Sequence, residues 1–489
     1  MRLTFSRQQR LDCPAVSQID LNLNCRHEII PILRTLQHVY ETPKLRDEIL
    51  DLIAQDVNRD SRDDCGRPGL SYWQILVLAG VRLGCNLDFD ALQDLAEQHG
   101  NLRHMMSVGD WGDETSFDHQ RIRDNLSLLR PETIEKISHA TVAEGHRINP
   151  EAVKKVRADS FVVETDIHWP TESSLIRDGI RKAVELAIVL AATFRLAGWR
   201  QGTHLITQVK RLAANIDRIS SRKGAHSKTR LKKAYGKLLK FSERVLRKLR
   251  KLAEEVESNE HASVGSLCQV GHLRTLIAQV EQVRDVARRR VLRGEKDVPN
   301  MEKLFSIFEP HTQLYKRGKT GEPIQFGRLV LVYEDAVGFV IHHHVMPRDA
   351  QDVTVAVEQT REVQERLDYR IESLSFDCGF HSPENQQELA KLVPNLCLPT
   401  RGVHQVAAQK AEADEDFRQS RKRHPGVESA VGALQSGNGL ERCRDHNETG
   451  FERYVAMGVL GRNLHVLGKL LIAQEDDKSE AAFSARSAA

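Results

Sequence analysis

The chain has 489 residues, 40% hydrophobic and 28% charged, with a formal net charge of +3, the balance of a soluble globular protein of two to four domains. Met1-Arg-Leu-Thr-Phe-Ser-Arg-Gln-Gln-Arg lacks an apolar signal core. The apolar run Ala183-Val-Glu-Leu-Ala-Ile-Val-Leu-Ala-Ala contains Glu185 and falls short of the ~20 residues that span a bilayer, so a cytoplasmic protein is expected. The eight cysteines, at 13, 25, 65, 85, 268, 378, 397 and 443, form no Cys-x-x-Cys pair and no zinc-like spacing with histidine, which points to reduced thiols.

In chain order, residues 1–60 read as helices, with Ile29, Ile30, Ile32, Leu33 and Leu36 as an apolar stripe. Asp60-Ser-Arg-Asp-Asp-Cys-Gly-Arg-Pro-Gly breaks the pattern. Three short helical patterns, opening at Ser71, Phe89 and Ser116, then predict a helical domain over 61–150. Arg121 and Arg123, near the start of one of them, fit a helix-turn-helix that enters the major groove N-terminus first. Val156-Arg-Ala-Asp-Ser-Phe-Val-Val-Glu-Thr is β-branched and predicts a strand carrying Asp159, within a first core segment over 151–172.

Residues 173–300 read as a helical insertion. Leu231, Leu238, Val245 and Leu252 recur every seven residues beside Tyr235, Ser242, Leu249 and Val256, a coiled-coil-like seam. A second helix carrying Leu273, Leu276, Ile277, Val280, Val283, Ala287 and Val291 lies within loop reach, so an internal antiparallel hairpin is expected in preference to dimerisation through the seam. Residues 222–250 hold 12 Lys or Arg against Glu243 alone, a local charge of 12 − 1 = +11 that leaves 3 − 11 = −8 for the rest. Such a block suits a phosphate backbone, with Lys232, Lys233, Lys237 and Lys240 as candidate DNA contacts.

Beyond 300 the period changes, and 301–474 reads as the remainder of the core. Phe326-Gly-Arg-Leu-Val-Leu-Val-Tyr and Gly338-Phe-Val-Ile-His-His-His-Val-Met predict a β-hairpin. A helix over 351–367, a strand from Ile371 to Asp377, a helix over 383–392, a short strand at Asn395-Leu-Cys-Leu and two helices holding Glu428 and Tyr454 follow. The 475–489 tail reads as disordered.

Three acids stand out: Asp159 and Asp377 on strands, and Glu428 opening a helix after His424-Pro425-Gly426. Hard cations such as Mg²⁺ take oxygen ligands from a few carboxylates and keep several waters. Two ions ~3.5–4 Å apart activate an attacking oxygen and stabilise a leaving one. Near Asp159, Glu164, Asp166 and Glu172 compete; alternation denies Glu164 and Asp166 the same face without a bulge, and the residues alone leave Asp166 an open alternative. Cys378, beside Asp377, is expected to be a small buried hydrophobe rather than a nucleophile. His342, His343 and His344 alternate in a strand and cannot chelate together, so they are expected at the hairpin surface or facing DNA. Lys316-Arg-Gly-Lys-Thr-Gly lacks the full phosphate-loop pattern, which argues against ATP dependence.

At these residues the chain resembles the Asp-Asp-Glu insertion-sequence transposases, specifically the ISNCY group. The resemblance runs through Ala158-Asp-Ser-Phe-Val-Val-Glu-Thr-Asp-Ile-His-Trp-Pro-Thr-Glu-Ser-Ser-Leu-Ile-Arg-Asp-Gly, Ser306-Ile-Phe-Glu-Pro-His-Thr and Ser375-Phe-Asp-Cys-Gly-Phe-His-Ser-Pro-Glu-Asn. It continues through His424-Pro-Gly-Val-Glu-Ser-Ala, Gly439-Leu-Glu-Arg-Cys-Arg-Asp and Gly450-Phe-Glu-Arg-Tyr-Val-Ala, spanning most of 60–470. It selects Asp159 as the first acid. It implies an α/β fold whose ribonuclease-H-like mixed-sheet core is interrupted after its first strand by the basic helical insertion. It also implies Asp159, Asp377 and Glu428 as catalytic and metal-binding residues, two Mg²⁺ ions replaceable by Mn²⁺, and a homodimer on double-stranded transposon-end and target DNA in the nucleoid. One departure stands: the Tyr-x-x-Arg-x-x-x-Glu-x-x-x-x-x-x-Lys signature of some related transposases is absent, its other places holding Arg421, His424 and Gln435. Basic Arg421, Lys422, Arg423 and His424 remain expected DNA-backbone contacts. A metal-dependent nuclease without strand transfer, or a DNA-binding protein with a decayed pocket, are the alternatives.

Overall fold

The computed structural model describes residues 12–59, 69–109, 113, 115–222, 226–316, 324–400 and 414–487, with side chains to 477. The expected break at 60–68, Cys65 and residues 317–321 of the Lys316 loop lie outside the described residues. The chain divides into two compact units, Met1–Thr165 with Arg328–Ala489, and Asp166–Gly327.

The first unit opens with α1 (Ile29–Glu41), α2 (Pro43–Asn58), α3 (Tyr72–Gly84), α4 (Phe89–Gln98), α5 (Gly100–Met105), α6 (His119–Leu126) and α7 (Pro131–Ile148). Their starts follow local chemistry. Pro43 and Pro131 sit in first turns, where the missing N–H costs nothing. Ser71 and Gln74 form a reciprocal capping box on α3, and Asp88 and Asp118 cap α4 and α6.

β1 (Lys155–Thr165) leads out of this unit. The chain returns through β3 (Gln325–Glu334) after β2 (Gln313–Tyr315), and continues with β4 (Val340–Val345), α12 (Asp352–Arg366), β5 (Ser373–Ser375), α13 (Pro383–Leu392), β6 (Asn395–Cys397), α14 (Glu415–Arg423), α15 (Gly426–Gly432), β7 (Arg442–Cys443) and α16 (Glu448–Ser487). The fold is mixed α/β around a seven-stranded mixed sheet of order β2-β3-β1-β5-β6, with β4 on β3 and β7 on β1. β5 and β7 run parallel to β1, β6 runs parallel to β5, and β3 pairs antiparallel with β4 and, at its first residues, with β2. The expected hairpin is thus present, its turn held by Asp335 Oδ1, which accepts from the amides of Val337, Gly338 and Phe339.

Two expectations change here. The N-terminal helices are not separate domains over 1–60 and 61–150: Leu33, Trp73, Leu76 and Ile137 share one apolar core with Val163 and Val332 of the sheet and with Tyr454 and Leu460 of α16. α16 packs against α1, α3 and α7, closely enough that a Cβ on Gly461 would lie 2.5 Å from the Gly84 nitrogen and one on Gly468 would lie 1.9 Å from the Pro31 carbonyl oxygen. The expected disordered tail is instead the continuation of α16 to Ser487, with Arg34 Nε donating to Glu475 at 2.8 Å. Residues 448–477 are long and apolar enough to cross a membrane, but 72% of that apolar window is buried inside the protein, as the centre of a core demands.

The second unit contains α8 (Glu172–Thr193), α9 (Gly202–Ser220), α10 (Ser227–Glu257) and α11 (Val264–Ala287). α10 and α11 form the expected hairpin, but both also pack on α8, and α9 lies against α8 and α10, so a four-helix bundle replaces the two-helix coiled coil. Leu238, Val245, Leu249, Leu252 and Val256 are fully buried, whereas Leu231 is only partly covered. Arg284 is buried against α10, where it donates to Glu243 and to the Leu239 carbonyl. The unit is wider than the expected 173–300 because Ile307 joins its core and β2 pairs with the opening of β3.

Candidate active site

Strand register assembles the site. Lys155, Val156 and Arg157 of β1 stand opposite Ser373, Leu374 and Ser375 of β5. Side chains alternate along a strand, so 155, 157 and 159 share one face with 373 and 375. The pairing ends at Arg157 and Ser375; Asp159 lies two residues further along β1, and Asp377 two residues past the end of β5, on extended backbone (φ −80°, ψ 170°). Asp159 is half-buried and Asp377 exposed. Asp159 Oδ1 accepts from the Ser160 amide at 2.7 Å, and Asp377 Oδ1 from the Gly379 amide at 2.6 Å, which fixes one oxygen of each.

Glu428 reaches the same neighbourhood from the other side. α14 ends in exposed Arg421, Lys422 and Arg423, the chain turns at His424 and Pro425, and α15 carries Glu428 while packing on β1. His424 Nδ1 lies 3.2 Å from Ser375 Oγ. Burial depresses the His424 ring below its usual range; Asp377 and Glu428 pull it back up, and Arg157 pushes it down. One half-buried imidazole therefore feels both acids at once. His424 is thus half-buried, unlike its exposed neighbours Arg421, Lys422 and Arg423.

Arg157 ties the platform together. Its Nε donates to Glu334 Oε2 at 2.6 Å and its Nη1 to the Arg423 carbonyl at 3.2 Å, linking β1 to β3 and to the α14–α15 junction. A Cβ on Gly426 would stand 2.0 Å from that Nη1, so a side chain here would push the Arg157 guanidinium aside. Burial raises the Glu334 carboxyl above its ordinary value, against the pull of Arg157 and Arg462. A cavity of about 390 Å³ opens on this face, with Lys155, Arg157, Ser373, Ser375, Ser420 and Arg423 in its lining.

The other candidates fall elsewhere. Glu164 lies on the opposite face of β1 and accepts from Arg442 Nη2 at 3.1 Å. Asp166 is exposed at the start of the second unit, and Glu172 pairs with Arg290 there. Cys378 is exposed, not buried as expected, because the one-turn helix after Asp377 turns it outward. The seven described cysteines are all free. His342 is 2% exposed and packs inward, contrary to the surface reading of the triplet. Lys232, Lys233, Lys237 and Lys240 are all exposed on α10.

Sequence reasoning missed Arg157 and Glu334, whose pairing depends on strand neighbours distant in the chain. It also missed Glu135, His139 and His342, a group able to hold a metal ion, whose sequence trace is the one-turn spacing of Glu135 and His139 on a helix. Family models, curated proteins and solved structures contain no match to this chain.

Proposed function

We propose that the protein is a DNA transposase that cleaves phosphodiesters at the ends of a mobile element and joins the freed ends to target DNA. The observation carrying this reading is the parallel β1–β5 pairing, two residues beyond which Asp159 and Asp377 each follow, together with the pull that Asp377 and Glu428 both exert on His424. The strand order supports a ribonuclease-H-like core: a first strand flanked on one side by the β3–β4 hairpin and on the other by parallel β5 and β6. The resemblance at Asp159, Asp377 and Glu428 supplies the reaction class.

The donor set fits hard divalent cations: two strand aspartates and a helix glutamate, two of them exposed to water, as Mg²⁺ with its retained waters requires. Asp159, Asp377 and Glu428 would hold the ions, Mg²⁺ or Mn²⁺, and the pair supplies charge stabilisation at the attacking and leaving oxygens of an in-line displacement. The chain's own residues position the DNA. The amides of Ser160 and Gly379 lock the two aspartates in place, and Arg157, held by Glu334, keeps α15 and Glu428 against β1. Lys155 and Arg423 beside the cavity face, with Arg421 and Lys422, form a basic border for a phosphate backbone. Lys232, Lys233, Lys237 and Lys240 add a second basic surface, and Arg121 and Arg123 on α6 belong to the helical part suited to end recognition. Two ends and two reaction centres call for a homodimer on DNA, at the nucleoid.

The test uses linear DNA carrying the flanking repeats of the gene, with and without Mg²⁺. Wild type cuts at the repeat boundary and joins the 3′ ends to a second duplex. Asp159→Asn, Asp377→Asn and Glu428→Gln each lose at least ~100–1,000-fold in cleavage, about 3–4 kcal/mol of barrier, while DNA binding stays within a few-fold. Full Mg²⁺-dependent cleavage by Asp377→Asn removes that residue from the site. Cleavage without joining identifies a nuclease.

A further inference from the structure

Glu135 and His139 lie one turn apart on α7, and His342 faces them from β4. Glu135 Oε1 is 3.7 Å from His139 Nε2 and 3.8 Å from His342 Nδ1, and the three atoms all fall within 4.8 Å of one another. Those separations are too long for hydrogen bonds. Neither nitrogen has a hydrogen-bond partner among the described residues, although His342 is 2% exposed. An unsatisfied buried nitrogen of this kind costs ~1–3 kcal/mol, so the convergence needs a reason.

The other side of His342 is specified. Its Nε2 lies 2.8 Å from Gln359 Oε1, an acceptor, so the proton sits on Nε2 and the Nδ1 lone pair points toward Glu135. A ligating histidine is oriented by such an outer partner. In a tetrahedral site with bonds of ~2.0–2.1 Å, neighbouring ligand atoms stand ~3.3–3.4 Å apart. The 3.7 and 3.8 Å edges come within about 0.4 Å of that, and the edge between the two imidazole nitrogens is no longer than 4.8 Å.

The charges around the group are mixed. Burial, then Arg366 and His343, depress the His139 ring to about 3, and burial also pushes His342 well below its usual range. Burial, then Glu362, raise Glu135 to about 7, and Arg366 opposes that rise. Arg366 is the cation facing the site, and Glu362 offsets it. A cavity of about 600 Å³ reaches His139, its wall carrying Glu48 and Asp51 together with Lys136, Arg366 and Arg370.

We propose that Glu135, His139 and His342 form a binding site for a divalent transition-metal ion of the zinc class, pinning α7 to β4. Two imidazoles and one carboxylate select Zn²⁺ over Mg²⁺, which prefers oxygen ligands and water. The site is separate from Asp159, Asp377 and Glu428 and holds whether or not the protein transposes DNA.

The experiment is zinc titration of the chelator-stripped full-length chain against a chromophoric chelator, with Mg²⁺ in excess. Wild type and an Asp159→Asn/Asp377→Asn/Glu428→Gln protein should bind one Zn²⁺ per chain with equal affinity. His139→Gln, whose side chain is partly exposed and so spares the fold, should weaken binding by more than ~100-fold, and Gln359→Leu by ~10–100-fold. Co²⁺ in wild type should give the strong visible bands of four-coordination, lost in His139→Gln. Zinc binding equal in wild type and His139→Gln overturns the proposal. So does zinc binding that disappears in the triple acid variant, which would assign the ion to those acids.

Discussion

Replacing Arg157 by Met tests the reasoning about the platform beneath the acids. Arg157 is 27% exposed at its side chain and Glu334 only 2%, and their Nε–Oε2 distance is 2.6 Å. Once the guanidinium is gone, the nearest cation to Glu334 is Arg462, at 4.0 Å. Breaking such a pair from one side strands a buried charge, at a cost of ~3–5 kcal/mol. The stranded carboxylate has an escape, because it can take up a proton. From the ordinary value of 4.5, that costs ~1.36 kcal/mol per pH unit, an upper limit of ~3.4 kcal/mol at pH 7 and ~1.4 kcal/mol at pH 5.5. The sign follows from linkage: a buried acid raised above its unfolded value binds more protons folded than unfolded, so stability falls as pH rises. Arg157→Met should therefore lose about 3 kcal/mol near pH 7 and roughly half of that at pH 5.5. Native-state hydrogen exchange read by mass spectrometry on β1 and β3 peptides, at both pH values, measures it. Arg157→Met/Glu334→Gln should recover most of the loss at pH 7. A loss independent of pH, or a double variant no better than the single one, refutes the buried-charge account.

Other outcomes follow from single contacts. Asn463 is fully buried, its Nδ2 donating to Ser138 Oγ and the Val340 carbonyl and its Oδ1 accepting from the Val340 amide, each at 2.8 Å. Asn463→Ala should therefore cost ~2–4 kcal/mol by urea unfolding, and a loss below ~1 kcal/mol would mean water replaces the amide. Gly461→Ala drives a methyl group onto the Gly84 backbone and should cost ~1–3 kcal/mol, seen as a lower melting temperature. Changing Lys232, Lys233, Lys237 and Lys240 together to Gln should weaken binding to any DNA and flatten the slope of log affinity against log salt by up to ~3.6, while an unchanged slope places DNA elsewhere.

Much of the local structure was legible in the residues. The helix expected over 383–392 is α13, the β-branched run around Asp159 marked β1, and the heptad rows marked the α10–α11 hairpin, because turns and periodicity act over a few residues. The three acids were read as a set by resemblance and by setting; Asp159 lies on β1, Asp377 follows β5 by two residues, and Glu428 lies on α15.

What the chain could not announce is which distant segments meet. That α16 lies in the middle of the N-terminal helices depends on Gly461 meeting Gly84, and a glycine in a sequence does not name its partner. The same holds for the four-helix bundle, since an apolar stripe specifies burial but not the number of helices that supply it. The inward turn of His342 toward Glu135 and His139 was hidden for this reason too. Strand alternation separates two faces, but only sheet register and helix packing decide which face becomes interior. Local propensity and periodicity are properties of neighbouring residues; register, burial and ligand convergence arise when remote surfaces compete for contact, and so belong to the tertiary structure alone.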